Sequence, residues 1–185
     1  MRKKSLVKQQ AGLTLIELMS TLLILAVTVT LAAPSMRATI QSNQLETETT
    51  RFLDAFSIAR SEAVLRNLPV SLCPSAMAST GLASCTGTFD RGWILFTNRD
   101  RNSTYTPATD ELLRVFSPIP AGLRLTNSGG SQAVGGLITF LPDGSSRRNL
   151  SLLLCAKDGP SLASQRVILN AVGRARSIKG DTQCS

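Results

Sequence analysis

Gly12-Leu13-Thr14-Leu15-Ile16-Glu17-Leu18 opens the stretch that decides the fold, because a basic leader precedes it and an apolar run to Ala33 follows it. The leader, residues 1–12, holds Arg2, Lys3, Lys4 and Lys8 and no acid. Positive charge before an apolar span holds that end on the cytoplasmic side of a membrane. From Leu13 to Ala33 there are 21 residues and one charge, Glu17. As a helix they rise roughly 32 Å, enough to cross the hydrocarbon core. The hydroxyls of Thr14, Ser20, Thr21, Thr28 and Thr30 can bond back to carbonyls of their own helix. A secretory signal carries its small-residue cleavage site after the apolar core. Here the small residue, Gly12, lies before it, so cleavage there leaves the apolar helix on the mature chain. The expectation is a single-pass segment over 13–36, used as a helix-packed subunit.

Glu17 is the odd residue of that segment. A carboxylate costs about 2.5–3.5 kcal/mol at the centre of a membrane helix on insertion scales. Two readings account for it. It sits near the helix start, where the positive end of the helix dipole favours it, or it pairs with a positive group on a neighbouring chain.

Beyond Pro34 the chain turns polar but keeps a helical period. Leu45, Thr49, Phe52, Phe56, Ala59 and Ala63 step by three and four, one stripe of an amphipathic helix. The spacing predicts a helix to about Arg66, stopping before Leu68-Pro69, so that 37–67 continues the membrane segment as one long helix. The remainder, 68–185, reads as short strands. They are Val70–Cys73, Gly92–Thr97, Leu112–Ser117, Leu123–Thr126, Leu137–Leu141, Leu150–Ala156 and Gln165–Asn170, separated by Pro, Gly, Asn, Asp and Ser clusters. Asp143-Gly144 marks a hairpin with Ser145–Asn149 widening its loop, and Asn127–Gly136 reads as a flexible loop. The fold class is α+β: a long N-terminal helix packed on an antiparallel β-sheet or two-sheet sandwich.

Composition narrows the function. The chain has no histidine, which removes the commonest general base and metal ligand. Neither a phosphate-binding Gly-rich loop nor a dinucleotide fingerprint is present. The expectation is a non-enzyme with no cofactor and no metal. The four cysteines, Cys73, Cys85, Cys155 and Cys184, contain no Cys-x-x-Cys pair. An even count fits disulfides of an oxidising compartment such as the periplasm. Two bridges allow three pairings. Cys73–Cys85, closing a short loop, and Cys155–Cys184, tying down the tail, are the favoured pair.

Charge is uneven. The net charge is +8, but the leader carries four of the basic residues. From Arg37 to Leu113 there are seven basic and eight acidic residues, whereas from Arg114 to Ser185 there are nine basic and three acidic. A positive field concentrated in one part of a domain attracts polyanions. Within it, Arg174 and Arg176 stand two apart, so in extended chain both guanidiniums project from one face. Their forks match phosphate oxygens. Gly173 permits a sharp turn or close approach beside them, Lys179 can extend the patch, and Arg147 and Arg148 are further candidates. Basic residues on a terminal strand also discourage edge-to-edge aggregation, the competing explanation. Trp93, in an apolar run, is expected in the core.

Gly12, Leu13 and Glu17 resemble the class III signal of type IV pilins and type II secretion pseudopilins. That resemblance implies a prepilin peptidase cutting after Gly12 and methylating the new amino terminus at Leu13. It also implies that Glu17 attracts the amino terminus of an adjacent subunit during assembly. Leu13 departs from the phenylalanine usual at the first mature position. Ala59-Arg60-Ser61-Glu62-Ala63-Val64, Val70-Ser71-Leu72-Cys73, Gly92-Trp93-Ile94-Leu95-Phe96 and Gly173-Arg174-Ala175-Arg176 resemble the GspH/FimT family of minor pilins and pseudopilins. The last of these is similar to the Gly-Arg-x-Arg motif of the DNA-binding FimT branch. The resemblance implies a pilin-like fold, an inner-membrane protein with its head in the periplasm, and other pilins as partners. It further implies DNA contact, mainly to phosphates, during natural transformation. A pilus-priming minor pilin, a GspH-type secretion pseudopilin and an adhesin are the alternatives.

Overall fold

The computed structural model describes residues 12, 14–130, 132–157 and 164–180, with backbone alone at 32–35 and 38. The leader residues 1–11, Leu13 and Cys184 lie outside the described residues. The chain divides into two compact units, residues 1–39 and 40–185.

Helix α1, Leu15–Arg66, supplies the described helix of the first unit. The Glu17 N–H donates to Thr14 Oγ1 at 3.3 Å, so Thr14 caps the helix and Glu17 lies in its first turn. A carboxylate is favoured there by the orphan N–H groups. Ser20, Thr21, Thr28 and Thr30 each donate to the carbonyl three residues back, at 2.8–2.9 Å. The apolar side chains Leu22, Leu23, Ile24, Leu25, Val27, Val29 and Leu31 are exposed. Among the described residues no helix is long and apolar enough to cross a membrane, so the crossing expected over 13–36 finds no support there.

In the second unit the expected stripe of α1 is buried. Leu45, Thr49, Phe52, Phe56, Ala59 and Ala63 are all 2% exposed or less. The helix ends in a Schellman arrangement. Asn67 takes φ 52°, its N–H donates to Val64 O, and the Leu68 N–H donates to Ala63 O, which satisfies the last carbonyls.

Among the described residues eight strands form two four-stranded antiparallel sheets. Sheet A runs β3 (Leu112–Phe116), β2 (Trp93–Thr97), β1 (Val70–Pro74), β5 (Ile138–Phe140). Sheet B runs β4 (Leu123–Asn127), β6 (Leu150–Ala156), β7 (Ser164–Leu169), β8 (Ala175–Lys179). The α1 stripe and the inward residues of both sheets share one core, with Val70, Leu72, Trp93, Leu95, Leu152, Leu154 and Val167 among its members. At its centre Trp93 stacks between Phe52 and Phe116, with ring centroids 4.3 and 5.1 Å away. Sheet A is covered on its other face too. Ile94 and Phe96 pack there under Met77, Ala83, Cys85 and Tyr105, and the Cys73–Cys85 disulfide ties that cover to β1. This explains why Trp93–Thr97 reads as a continuous apolar run. Cys155 is buried and disulfide-bonded; its expected partner is Cys184.

Three expectations change. Ala175–Lys179 is an eighth strand, absent from the predicted set. The Asp143-Gly144 turn closes locally, with Leu141 N–H on Ser145 O at 2.8 Å and a bridge from Phe140 to Ser146. It does not pair β5 with β6, because those strands belong to different sheets. Asn127–Gly136 begins as an ordered turn, with Asn127 N–H on Gln132 O at 2.8 Å and a bridge from Thr126 to Ala133.

Between helix and sheet A sits an ion pair, Glu48 to Arg51 at 2.8 Å. The Arg51 guanidinium lies 4.5 Å from the Trp93 ring centroid, a cation–π contact, and donates to Ser117 O. Burial raises the Glu48 carboxyl above its ordinary value, partly opposed by Arg51. Burial lowers the Arg51 guanidinium, opposed by Glu48. A carboxyl raised on folding binds its proton more tightly in the folded state, so its contribution to stability grows as pH falls through the raised value toward the ordinary one. Melting curves of wild type and Glu48→Gln between pH 7 and pH 4 are expected to shift in the wild type's favour as the pH falls. An unchanged difference would place no titration at Glu48.

Candidate nucleic-acid interface

The β7–β8 hairpin builds the site. Its tip is set by Asn170, whose carbonyl accepts the Gly173 N–H at 2.9 Å and whose Oδ1 accepts the Arg174 N–H at 2.8 Å. Gly173 takes φ 77°, a conformation that glycine adopts without penalty, as in three-residue hairpin loops. The tip is anchored from outside. Asn149 Oδ1 accepts the Ala171 N–H at 2.7 Å, and Ala171 O accepts the Ser146 N–H at 2.8 Å. Gly173 is buried against Gly144, and a Cβ added at 173 would collide with the Gly144 carbonyl oxygen. Within the site Gly173 therefore positions Arg174, and it also lines the smaller cleft shared with α1.

Strand β8 is an edge of sheet B, with Leu169 opposite Ala175, Ile168 opposite Arg176 and Gln165 opposite Lys179. Alternation turns Ala175 to the core and Arg176 to the other face. Arg174 and Arg176 are both exposed, and with Ile168 and Asn170 they line an open cleft of about 640 Å³. Arg174 also lines a smaller cleft of about 230 Å³ beside Arg60 and Ser57 of α1. Among the described residues Arg60, Arg174 and Arg176 have no ion-pair partner. Three uncompensated guanidiniums thus border two adjoining clefts, an arrangement suited to phosphate oxygens.

The other predicted residues fall elsewhere. Lys179 has the opposite parity to Arg176 and pairs with Glu46 at 3.0 Å, both side chains well exposed. It does not extend the arginine pair, and a pair so solvated contributes little to stability. Arg147 and Arg148 line a different cleft, with Arg101. Arg60 is the residue that sequence reasoning missed. Its signal was its position one residue after the stripe residue Ala59, at the border of the buried face.

Residues 48–173 match the family described as type II transport protein GspH, and residues 7–33 match the prokaryotic N-terminal methylation motif. Arg174 and Arg176 lie just beyond the family match. No curated protein matches the chain by sequence. Among solved structures, the type IV minor pilin FimU of Pseudomonas aeruginosa is similar, with TM-score 0.55 and 16% identity over 77% of this chain and 96% of that one. The minor pseudopilin EpsH of the Vibrio cholerae type II secretion system is also similar, with TM-score 0.50 and 12% identity over 75% and 98% of the two chains. At such identity these likenesses bear on the fold, an N-terminal helix followed by antiparallel sheets. The methylation motif indicates association with a pilus or pseudopilus, and the fold is that of structural pilin-type proteins. The family match covers most of the head and ends at the tip of the β7–β8 hairpin: this chain belongs to the GspH family.

Proposed function

We infer that this protein is a minor pilin whose head binds DNA through the phosphate backbone at Arg174 and Arg176, with Arg60 beside them, during uptake for natural transformation. The supporting observation is the pair of exposed guanidiniums at the β7–β8 hairpin, unpaired among the described residues and held by a buried glycine turn. The edge-protection role of basic strand residues does not require a third arginine from α1 on the adjoining cleft. Contact of this kind is led by phosphates, weakly selective for sequence and sensitive to salt. In this reading prepilin peptidase cuts after Gly12 and methylates Leu13, the segment that follows sits in the inner membrane with the head in the periplasm, and Glu17 pairs with a neighbouring pilin's amino terminus. Other major and minor pilins are its partners. Among the described residues Trp93 and the phenylalanines are buried and Tyr105 is half-buried edge-on against Phe96, which favours an interaction led by the backbone.

The family description and the likeness to EpsH favour a second reading, a pseudopilin of a type II secretion system whose partners are proteins of the pseudopilus tip. Retention on immobilised duplex DNA at low salt, with release as salt rises, supports the first. Capture of pseudopilins without retention on DNA replaces it with the second.

A further inference from the structure

A further cationic cleft shares no lining residue with the two at the hairpin arginines. It has a volume of about 250 Å³ and lies between strand β5 and the loop after β2, lined by Arg101, Arg147 and Arg148. None of the three has an ion-pair partner among the described residues. Arg148 is steered by its Nη1, which donates to Leu137 O at 3.4 Å. Arg101 takes φ 56°, a left-handed conformation that costs a non-glycine residue about 1–2 kcal/mol. Such strain persists only where the surroundings enforce it, and it clusters at binding sites.

The rest of the lining is of two kinds. Leu137, Leu141 and Pro69 give an apolar wall. Asn98 and Ser103 give polar groups. Asn98 is 1% exposed; its Nδ2 donates to Ser71 Oγ and Asn102 O, and its Oδ1 has no hydrogen-bond partner among the described residues. The cleft thus joins a cationic rim, an apolar wall and the polar residues Asn98 and Ser103. A volume just below that of drug-sized pockets admits one phosphorylated sugar with its base, not the flank of a double helix.

We propose that the Arg101–Arg147–Arg148 cleft takes one unpaired nucleotide of a DNA strand end, its phosphate on the arginines and its sugar and base along Leu137 and Leu141. The proposal rests on the DNA reading above and adds a preference for frayed or overhanging ends. Duplex flanks bind at the hairpin arginines, and the strand end enters this cleft.

The test uses the full chain in mild detergent and two labelled DNA hairpins of equal stem, one blunt and one with a short 5′-phosphorylated overhang. Fluorescence anisotropy reads affinity, and circular dichroism verifies folding. The overhang is expected to bind at least fivefold more tightly than the blunt stem. Arg101→Ala plus Arg148→Ala should abolish that difference and leave blunt binding within twofold, and dTMP should compete for the difference far better than inorganic phosphate. Equal wild-type affinity for the two hairpins, with blunt binding intact, overturns this proposal alone. Competition by inorganic phosphate as strong as by dTMP assigns the cleft to a bare anion and also overturns it. Failure of both hairpins to bind overturns the DNA reading and this proposal together.

Discussion

Arg174→Ala combined with Arg176→Ala is expected to weaken duplex DNA binding by about 10- to 100-fold at low salt and to leave the fold unchanged. Both side chains are exposed and lack ion-pair partners among the described residues, so their removal strands no buried charge. Hydrogen bonds to charged groups contribute roughly 1.5–3 kcal/mol each, which sets that range after allowance for solvent screening. Each lost phosphate contact should also lower the slope of log affinity against log salt by about one. The double variant should therefore show a slope shallower by about two and an unchanged melting temperature. Lys179→Ala is the internal control. That side chain faces the other way and is paired with Glu46, so its loss should change affinity less than either arginine. Gel shift across a salt series reads all of these. An unaltered slope in the folded double variant would remove both arginines from the interface.

The second large effect falls on stability. Gly173→Ala is expected to cost about 3 kcal/mol, from a left-handed backbone that L-residues disfavour and from overpacking. The new Cβ would meet the Gly144 carbonyl oxygen. Relief requires the 142–146 turn and the hairpin tip to separate, which strains the Ser146 N–H bond to Ala171 O and the Asn149 bond to the Ala171 N–H. For a domain of this size such a loss lowers the melting temperature by roughly 6–12 °C. Gly122→Ala provides the contrast, because a Cβ there meets nothing within 4 Å. Thermal melts followed by circular dichroism check both variants. Equal melting temperatures for the two would show that the two turns do not lock together.

The α1 stripe was legible because burial of one helix face leaves a period that sequence alone displays. Leu45 through Ala63 read correctly to the residue. Seven strands were legible because their apolar or β-branched runs end at turn residues. Strand β8 was not, because an edge strand buries one face at most. Ala175, Ser177 and Lys179 carry too little apolarity to announce the inward face, and Arg174 and Arg176 make the other face look like loop. The signal available was Asn170 and Gly173, a hairpin tip placed one strand length before Gly180. The β5–β6 connection was misread for a related reason. Asp143-Gly144 fixes a tight turn, but which sheet receives the next strand depends on long-range pairing that no local residue records. The arginine pair was legible by spacing. Its neighbour Arg60 was not, since only the packing of α1 against the hairpin brings residues 60 and 174 to one cleft. The separation of Arg147 and Arg148 from that cleft likewise follows from tertiary placement, as does the opposed facing of Lys179, which parity along β8 reveals once the strand is known.

The most direct test of the DNA-binding hairpin is residue-resolved NMR. The segment from Ile40 onward, which holds every member of the shared core, is labelled with nitrogen-15 and titrated with duplex DNA at low salt. Shift changes concentrated at Asn170–Ile178 and at Arg60, and fading as salt rises, are the predicted result. Shift changes confined to the opposite side of the sheets, with Arg174 and Arg176 unmoved at saturation, would contradict it.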